Sequence, residues 1–488
     1  MTSTPSLTIY QQHHLRPTYD HHAPYLFAPM VRASQAHVVM LVEQGLIPAE
    51  RGARLLRGLR ALAADSADVP PFDGSVEDVY FQVEKRLAAA CGISTAELDV
   101  QLARSRNDLD AGVFRMVLRQ QLLGVLDRVL AAGATALDRA DRYADVLITG
   151  YTHRRPAQPT TIGHVLAGYA EALAVEATGY ADLLDQMNRS PLGSCAFAGT
   201  DLDISPARLA ELLGFDGLVT NSYEAVAGAD HLVRVATLNA QALATGARLA
   251  RTLMDWLTWR WVETPVDFTQ GSSIMPQKRN PVVLEHLVSM AGASAGDAAS
   301  VLNNVGAGWW EDSNNATTDV QVRLWDSCDR SDRFFALLGG FLDQLVPWQP
   351  PAAAEIVASG ATTTAAADAL TRHGVPFRAA HSVVGRLVRA GTPDTWTAEQ
   401  VRSAAGASGV AGPLGDAAVA DLLAAAVRPE LVLDRAQADG PGTAAVRAQA
   451  RTIRLTFDAV DARVAGMRAR LAAAERALDR AVDGRLGQ

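Results

Sequence analysis

The sequence predicts an all-α fold, with three helical domains and a long central helix bundle. Three observations carry this. Apolar residues recur at three- and four-residue intervals almost everywhere after Ala33. Several of the periodic stretches are too long for a small globule. Strand signals are scarce, and no glycine pattern of a phosphate or dinucleotide site is present.

The periodic stretches fall in chain order. Ala49–Asp65 (AERGARLLRGLRALAAD) is the first, and Gly112–Leu147 is a much longer second. Ser222–Trp259 is the third, and Ala444–Val482 is the fourth. Helices of ~30–40 residues span ~45–60 Å, a length that suits a bundle. Long apolar stripes also point to bundling between subunits. Breaks rich in Gly and Pro fall at Val69–Asp78, Gly150–Pro159, Arg189–Thr200, Thr269–Pro281 and Leu345–Pro351. They divide the chain into a front part (1–110), a long-helix middle part (111–362) carrying the loop 269–281, and a back part (363–488). Within the back part, Ser403–Pro413 reads as a flexible insertion.

The bulk numbers exclude several classes of function. The chain has 488 residues, 49% of them hydrophobic, so a large core is available. A net charge of −9 argues against a general nucleic-acid binder. No apolar run reaches the ~18 residues of a membrane span. The N-terminal segment MTSTPSLTIYQQHHLRPTYDHHAPY has no apolar core and does not read as a signal peptide. Cys91, Cys195 and Cys328 are widely spaced, which fits a reduced, cytoplasmic protein without a Cys-based metal site. His13–His14 and His21–His22 lack a nearby acid or Cys to complete a metal site, so no metal is expected.

Four polar clusters interrupt the helices. ARSRND (Ala103–Asp108) places Ser105, Arg106 and Asn107 at a helix start. A hydroxyl, a guanidinium and an amide at a helix N-terminus suit a carboxylate, and they equally suit an N-capping turn. GYTHRRPAQP offers Thr152 and His153, and the imidazole suits proton transfer or a structural role. SPLGSCAFAGT (Ser190–Thr200) is a turn of small residues, close enough for backbone to approach a ligand or simply a connection. TQGSSIMPQKRNP (Thr269–Pro281) supplies Ser272, Ser273, Lys278 and Asn280, with Glu285 on the following stretch. No G-x-S-x-G element is present, so hydrolase chemistry has little support. The groups suit a substrate with two carboxylates that reacts through a stabilised carbanion.

Together these residues resemble the fumarase/aspartase superfamily. GSSIMPQKRNP resembles its signature loop, and SRND, GYTH, AQP and PLGSCAFAGT precede it in the family's order. Within the superfamily the likeness is to argininosuccinate lyase, extending through Ala361–Gly385 and covering roughly Val31–Val388. The resemblance implies three helical domains and a homotetramer with a central ~20-helix bundle. It also implies active sites shared by three subunits. The implied reaction is anti-elimination from a substituted succinate, giving fumarate without metal or organic cofactor. Ser272 would take the Cβ proton. Lys278 and Asn280 would stabilise the aci-carboxylate, and Ser105, Arg106, Asn107, Thr152 and Ser273 would hold substrate carboxylates. His153 would pair with Glu285.

The sequence departs from the family on the amine side. In GWWEDSNNATTDV (Gly308–Val320), Trp309 and Trp310 stand where Tyr and Asn are usual, Asn314 where Gln is, and Thr317 where Lys is. Asp312 stays in place. Tyr80 and Gln101 stand where His is usual, and no Asn-Ala-Ser element lies near Pro17–Tyr19. The resemblance therefore points to a C–N lyase for argininosuccinate or a related N-substituted aspartate, with Trp309, Trp310 and Asn314 in the leaving-group pocket. Indole faces attract cations, although the Trp pair also fits core packing. Elimination of a different leaving group, or a non-catalytic structural role, are the other readings.

Overall fold

A computed structural model describes residues 7–65 and 69–487. The front part holds α1 (Arg16–Glu43), α2 (Ala49–Ala64) and α3 (Val79–Cys91). The middle follows with α4 (Arg106–Arg142), strands β1 (Leu147–Thr152) and β2 (Arg155–Thr161), α5 (Ile162–Met187), α6 (Pro206–Leu212), α7 (Ser222–Ala227) and α8 (Asp230–Thr258). Short strands β3 (Val262–Glu263), β4 (Gln270–Gly271) and β5 (Arg279–Asn280) lead into α9 (Val282–Gly306) and α10 (Gln321–Asp343). Then come β6 (Val346–Pro347), α11 (Ala353–Ala358), α12 (Thr363–Arg372), α13 (Phe377–Ala390), α14 (Ala398–Ala407), α15 (Asp416–Val427) and α16 (Thr443–Leu486).

The bundle is α4, α5, α8, α9 and α10, each packed against two or more of the others. On α4, Leu118, Leu122, Leu126 and Val129 repeat at three- and four-residue steps and are fully buried. Each such side chain contributes ~1.5–3 kcal/mol on leaving water. Small residues bring helices close. A Cβ on Gly133 of α4 would lie 2.2 Å from the Phe457 ring of α16, so only glycine admits that ring.

Several sequence expectations are corrected. The second long helix runs 106–142 rather than 112–147, because Ser105 and Asp108 cap its start and Leu147 opens a strand. GYTHRRPAQP is no plain loop: β1 and β2 pair antiparallel, with Thr152 opposite Arg155. His153 and Arg154 form the two-residue turn at φ 49° and 65°, as a type I′ hairpin requires. Ser222–Trp259 is two helices, split by Gly228, where a Cβ would clash with Glu224 backbone and side chain. Helix α1 begins well before Ala33 and contains Pro24 and Pro29. It lacks amphipathic spacing because it is enclosed on several sides, with Ser34, Gln35 and His37 buried alongside Val38–Leu41. Ser403–Ala407 lies in α14, so the expected flexible insertion is only the turn that follows.

The back part, 363–488, does not share one core. Helices α12–α15 enclose a separate cluster around Leu370, Val383, Leu387, Val401 and Leu422. Helix α16 instead lays Val446, Phe457, Val460, Val464 and Met467 into the main core, against α5, α4, α2 and α1. The reason is the long apolar stripe of α16, which the small cluster has no surface to cover.

Candidate active site

At the start of α4, Ser105 Oγ accepts from Asn107 N at 3.2 Å, and Asp108 accepts from Ser105 N at 3.0 Å. This capping box ties up free N–H groups of the first turn. The other Asp108 oxygen accepts from Gly193 N at 2.9 Å and Cys195 N at 3.2 Å. Gly193 sits at φ 94° and Cys195 at φ 51°. The small-residue turn thus holds the head of α4 in place. Burial pushes the Asp108 pKa up to about 6, and those N–H groups oppose the shift.

Arg106 is half-exposed but not free. Its Nη2 lies 2.6 Å from Asp78 Oδ2, and its guanidinium rests 5.5 Å from the Phe81 ring centroid. It lines two adjoining clefts. Both clefts are also lined by Asp110, Phe114, Asn314 and Thr318. The first reaches His14, Tyr19, His22 and Tyr80; the second reaches Asn107, His231, Asp312 and Thr317. Burial pushes Asp110 up to about 7, with Asp78 and Asp312 adding to it and Arg106 opposing. His22 is lowered to about 4, first by burial and then by His21. His231 is held well below its ordinary value by burial and by Arg115 and Arg234. Both imidazoles are neutral near pH 7.

The second group of expected residues lies elsewhere. The His153–Arg154 turn is tied to α8 by Arg154, which pairs with both oxygens of Asp255, Nη2 to Oδ1 at 2.8 Å. Tyr151 stacks on Trp259 at 4.6 Å between centroids. Strands β4 and β5 form a hairpin, with Gly271 opposite Arg279. Inside it, Ser272 Oγ accepts from Met275 N at 3.0 Å and Ile274 N at 3.3 Å. Ser273, Lys278 and Glu285 are exposed, and Asn280 is half-buried.

The two groups stand at opposite ends of α8. Asp230, its first residue, is next to His231 and the cleft with Arg106. Asp255, near its last, holds the His153 turn. Twenty-five residues separate them by sequence number, or ~38 Å of helix at ~1.5 Å each. Helix α9 lies beside α8, with Glu285 in its first turn and Trp309, Trp310 and Asn314 beyond its end. One chain therefore brings together Ser105, Arg106, Asn107 and Asn314, but not these with Thr152, His153, Ser272, Lys278 or Asn280. The expected His153–Glu285 pair makes no hydrogen bond or ion pair among the described residues of one chain. Trp309 and Trp310 are 74% and 65% exposed, which rules out core packing within the chain.

Sequence reasoning passed over Asp78 and Asp110. The signal for Asp110 was its position four residues after Arg106, on the same helix face. His13, His14, His21 and His22 join no group of three metal-ligating side chains among the described residues. No described helix is long and apolar enough to cross a membrane.

Comparison with known proteins fits this architecture. The family described as Lyase matches residues 12–296, and the argininosuccinate lyase C-terminal family matches residues 360–426. Argininosuccinate lyase of Methanosarcina acetivorans is 32% identical over 374 residues, 76% of this chain and 75% of that protein. The enzyme of Haloarcula marismortui is 33% identical over 467 residues, 94% of this chain and 90% of that protein. The crystal structure of EDDS lyase in complex with formate superposes at a TM-score of 0.85 with 30% identity, covering 99% of this chain and 97% of that one. A class II fumarase from Schistosoma mansoni shares the fold at a TM-score of 0.66 and 16% identity, over 79% of this chain and 87% of that one. Matched family, relatives at 32–33% identity along most of the chain and a superposed EDDS lyase agree: the chain is a C–N lyase of the fumarase/aspartase superfamily, close to argininosuccinate lyase.

Proposed function

We propose that the protein releases fumarate from an N-substituted aspartate, argininosuccinate or a related compound, by anti β-elimination through an aci-carboxylate. The observation that carries this is the Ser272 hydroxyl inside its hairpin. Two backbone N–H groups, of Ile274 and Met275, point at Oγ. Such donors stabilise an alkoxide, which makes an otherwise weak base able to take the Cβ proton. Lys278 and Asn280 stabilise the dianionic carboxylate that forms. Ser105, Arg106, Asn107, Thr152 and Ser273 hold the substrate carboxylates. His153 with Glu285 serves the departing nitrogen. The C–N electron pair leaves on nitrogen, and the step needs no cofactor.

The site is assembled between subunits of a homotetramer. Support comes from the ~38 Å of helix between its two halves, a gap that antiparallel copies of the bundle would close. The three free cysteines suit a reducing cytoplasm. The test is fumarate release, followed by ultraviolet absorbance, with argininosuccinate as substrate and Ser272→Ala as control. Brisk release that depends on Ser272 identifies an argininosuccinate lyase. With no release, fumarate plus a panel of amines finds the leaving group, and loss of neither activity in Ser272→Ala removes Ser272 as the base.

A further inference from the structure

We propose that Asp110 is a specificity residue, which recognises a positive charge on the departing amine at a distance from the scissile C–N bond. This rests on the elimination reading above. The two clefts that meet at Asp110 carry five carboxylates, Glu77, Asp78, Asp110, Asp312 and Asp319, against one guanidinium, Arg106. The imidazoles of buried His22 and half-buried His231 add no charge near pH 7. With Arg106 already paired to Asp78, the excess of carboxylates draws in a cationic arm of the substrate.

Within this lining the carboxylates are not equivalent. Asp78 is paired with Arg106 at 2.6 Å and caps α3 through Phe81 N at 3.1 Å. Asp312 accepts from the Thr317 hydroxyl at 3.3 Å. Asp110 Oδ1 is buried and has no hydrogen-bond partner among the described residues. A buried acceptor without a donor costs stability, and a ligand N–H that reaches it recovers that loss. An ammonium or guanidinium supplies both the donor and the charge. Phe114 and Tyr80 line the same cleft as Asp110 and offer ring surface to the carbon chain that carries the cation.

The experiment measures initial rates of fumarate consumption with ethylenediamine, propylamine and arginine, and of argininosuccinate cleavage, in the wild-type protein and in Asp110→Asn and Asp312→Asn. The two small amines have similar length, and only one keeps a second cation. The expected result is a preference of tenfold or more in kcat/KM for the amine with the second cation, reduced to near unity in Asp110→Asn and reduced less in Asp312→Asn. An equal rate with both amines, a preference that survives in Asp110→Asn, or undiminished cleavage of argininosuccinate by Asp110→Asn overturns the inference. If no substrate turns over at all, the elimination reading fails. Calorimetric titration of ethylenediamine then still decides Asp110: heat of binding that vanishes in Asp110→Asn upholds the cation site, and no heat in either protein overturns it.

Discussion

Asp108 reaches from the first turn of α4 to Gly193, 85 residues further along, and accepts its N–H at 2.9 Å. One side chain thereby caps the helix that carries Arg106 and fixes the turn SPLGSCAFAGT. Asp108→Ala leaves three N–H groups, of Ser105, Gly193 and Cys195, without this acceptor. The expected loss is about 2–4 kcal/mol, read as a lower urea midpoint. Asp108→Asn retains an acceptor oxygen and loses less. Equal stability of Asp108→Ala and wild type would show that the turn is held by other contacts.

Opposite ends of α8 make a sharp prediction about subunit sharing. Ser272→Ala and Asn107→Ala damage different halves, which no single chain brings together. Each variant alone is expected to lose activity by ~10²–10⁴. Unfolded and refolded as a mixture, they should regain a measurable fraction of wild-type activity, because some assembled sites draw both intact halves. Activity that stays at the level of the separate variants would place both residues in one subunit's site.

Replacing Asp110 should stabilise the protein at high pH. Its pKa in the folded chain is about 7, above its ordinary 3.8. The folded state therefore binds the proton more tightly, and this contribution is fully present below 3.8 and lost as pH rises through 7. Charges facing Asp110 are Arg106 and Arg104, which oppose the shift, and Asp78 and Asp312, which add to it. Asp110→Asn mimics the protonated form at every pH. It should gain on the order of 2–4 kcal/mol at pH 8 and nothing near pH 4. Thermal midpoints across that range measure it, and a pH-independent difference would refute the assignment.

The exposed pair Trp309 and Trp310 separates stability from function. Alanine at both is expected to change monomer stability by less than ~0.5 kcal/mol, since neither ring is enclosed within the chain. If the rings face a leaving amine, KM for that amine rises while kcat moves little. An unchanged KM takes them out of the pocket, and a lower oligomeric state by light scattering assigns them to subunit contact instead.

Long helices were legible because their apolar stripes repeat over many turns, as in Leu118–Val129 and Val446–Met467. Helix α1 was half hidden because burial on several sides erases the stripe, and its internal prolines argue against a helix. The hairpin at His153 was missed because two positive-φ residues, His and Arg, carry a turn where Asn-Gly is the usual signal. The polar clusters at Ser105–Asn107, Thr152–His153 and Ser272–Asn280 stood out in the sequence, yet their placement at opposite ends of α8 did not, because spacing in sequence says nothing of which end of a bundle a loop reaches. Asp110 escaped notice because an acid after Arg106 on one helix reads as an ordinary surface pair. Only the fold shows that Arg106 turns to Asp78 instead.

Helix α16 also sets a timetable for synthesis. Arg485 near its end meets Glu43 of α1 at 2.8 Å, a contact between residues 442 apart in sequence. Its apolar stripe is part of the core that α1, α2, α4 and α5 enclose. The front and middle of a growing chain therefore leave the ribosome with an open seam that only the emergence of α16 closes. Until then the leucines and valines of that seam are what a chaperone would meet, and a truncation that removes α16 would leave them uncovered.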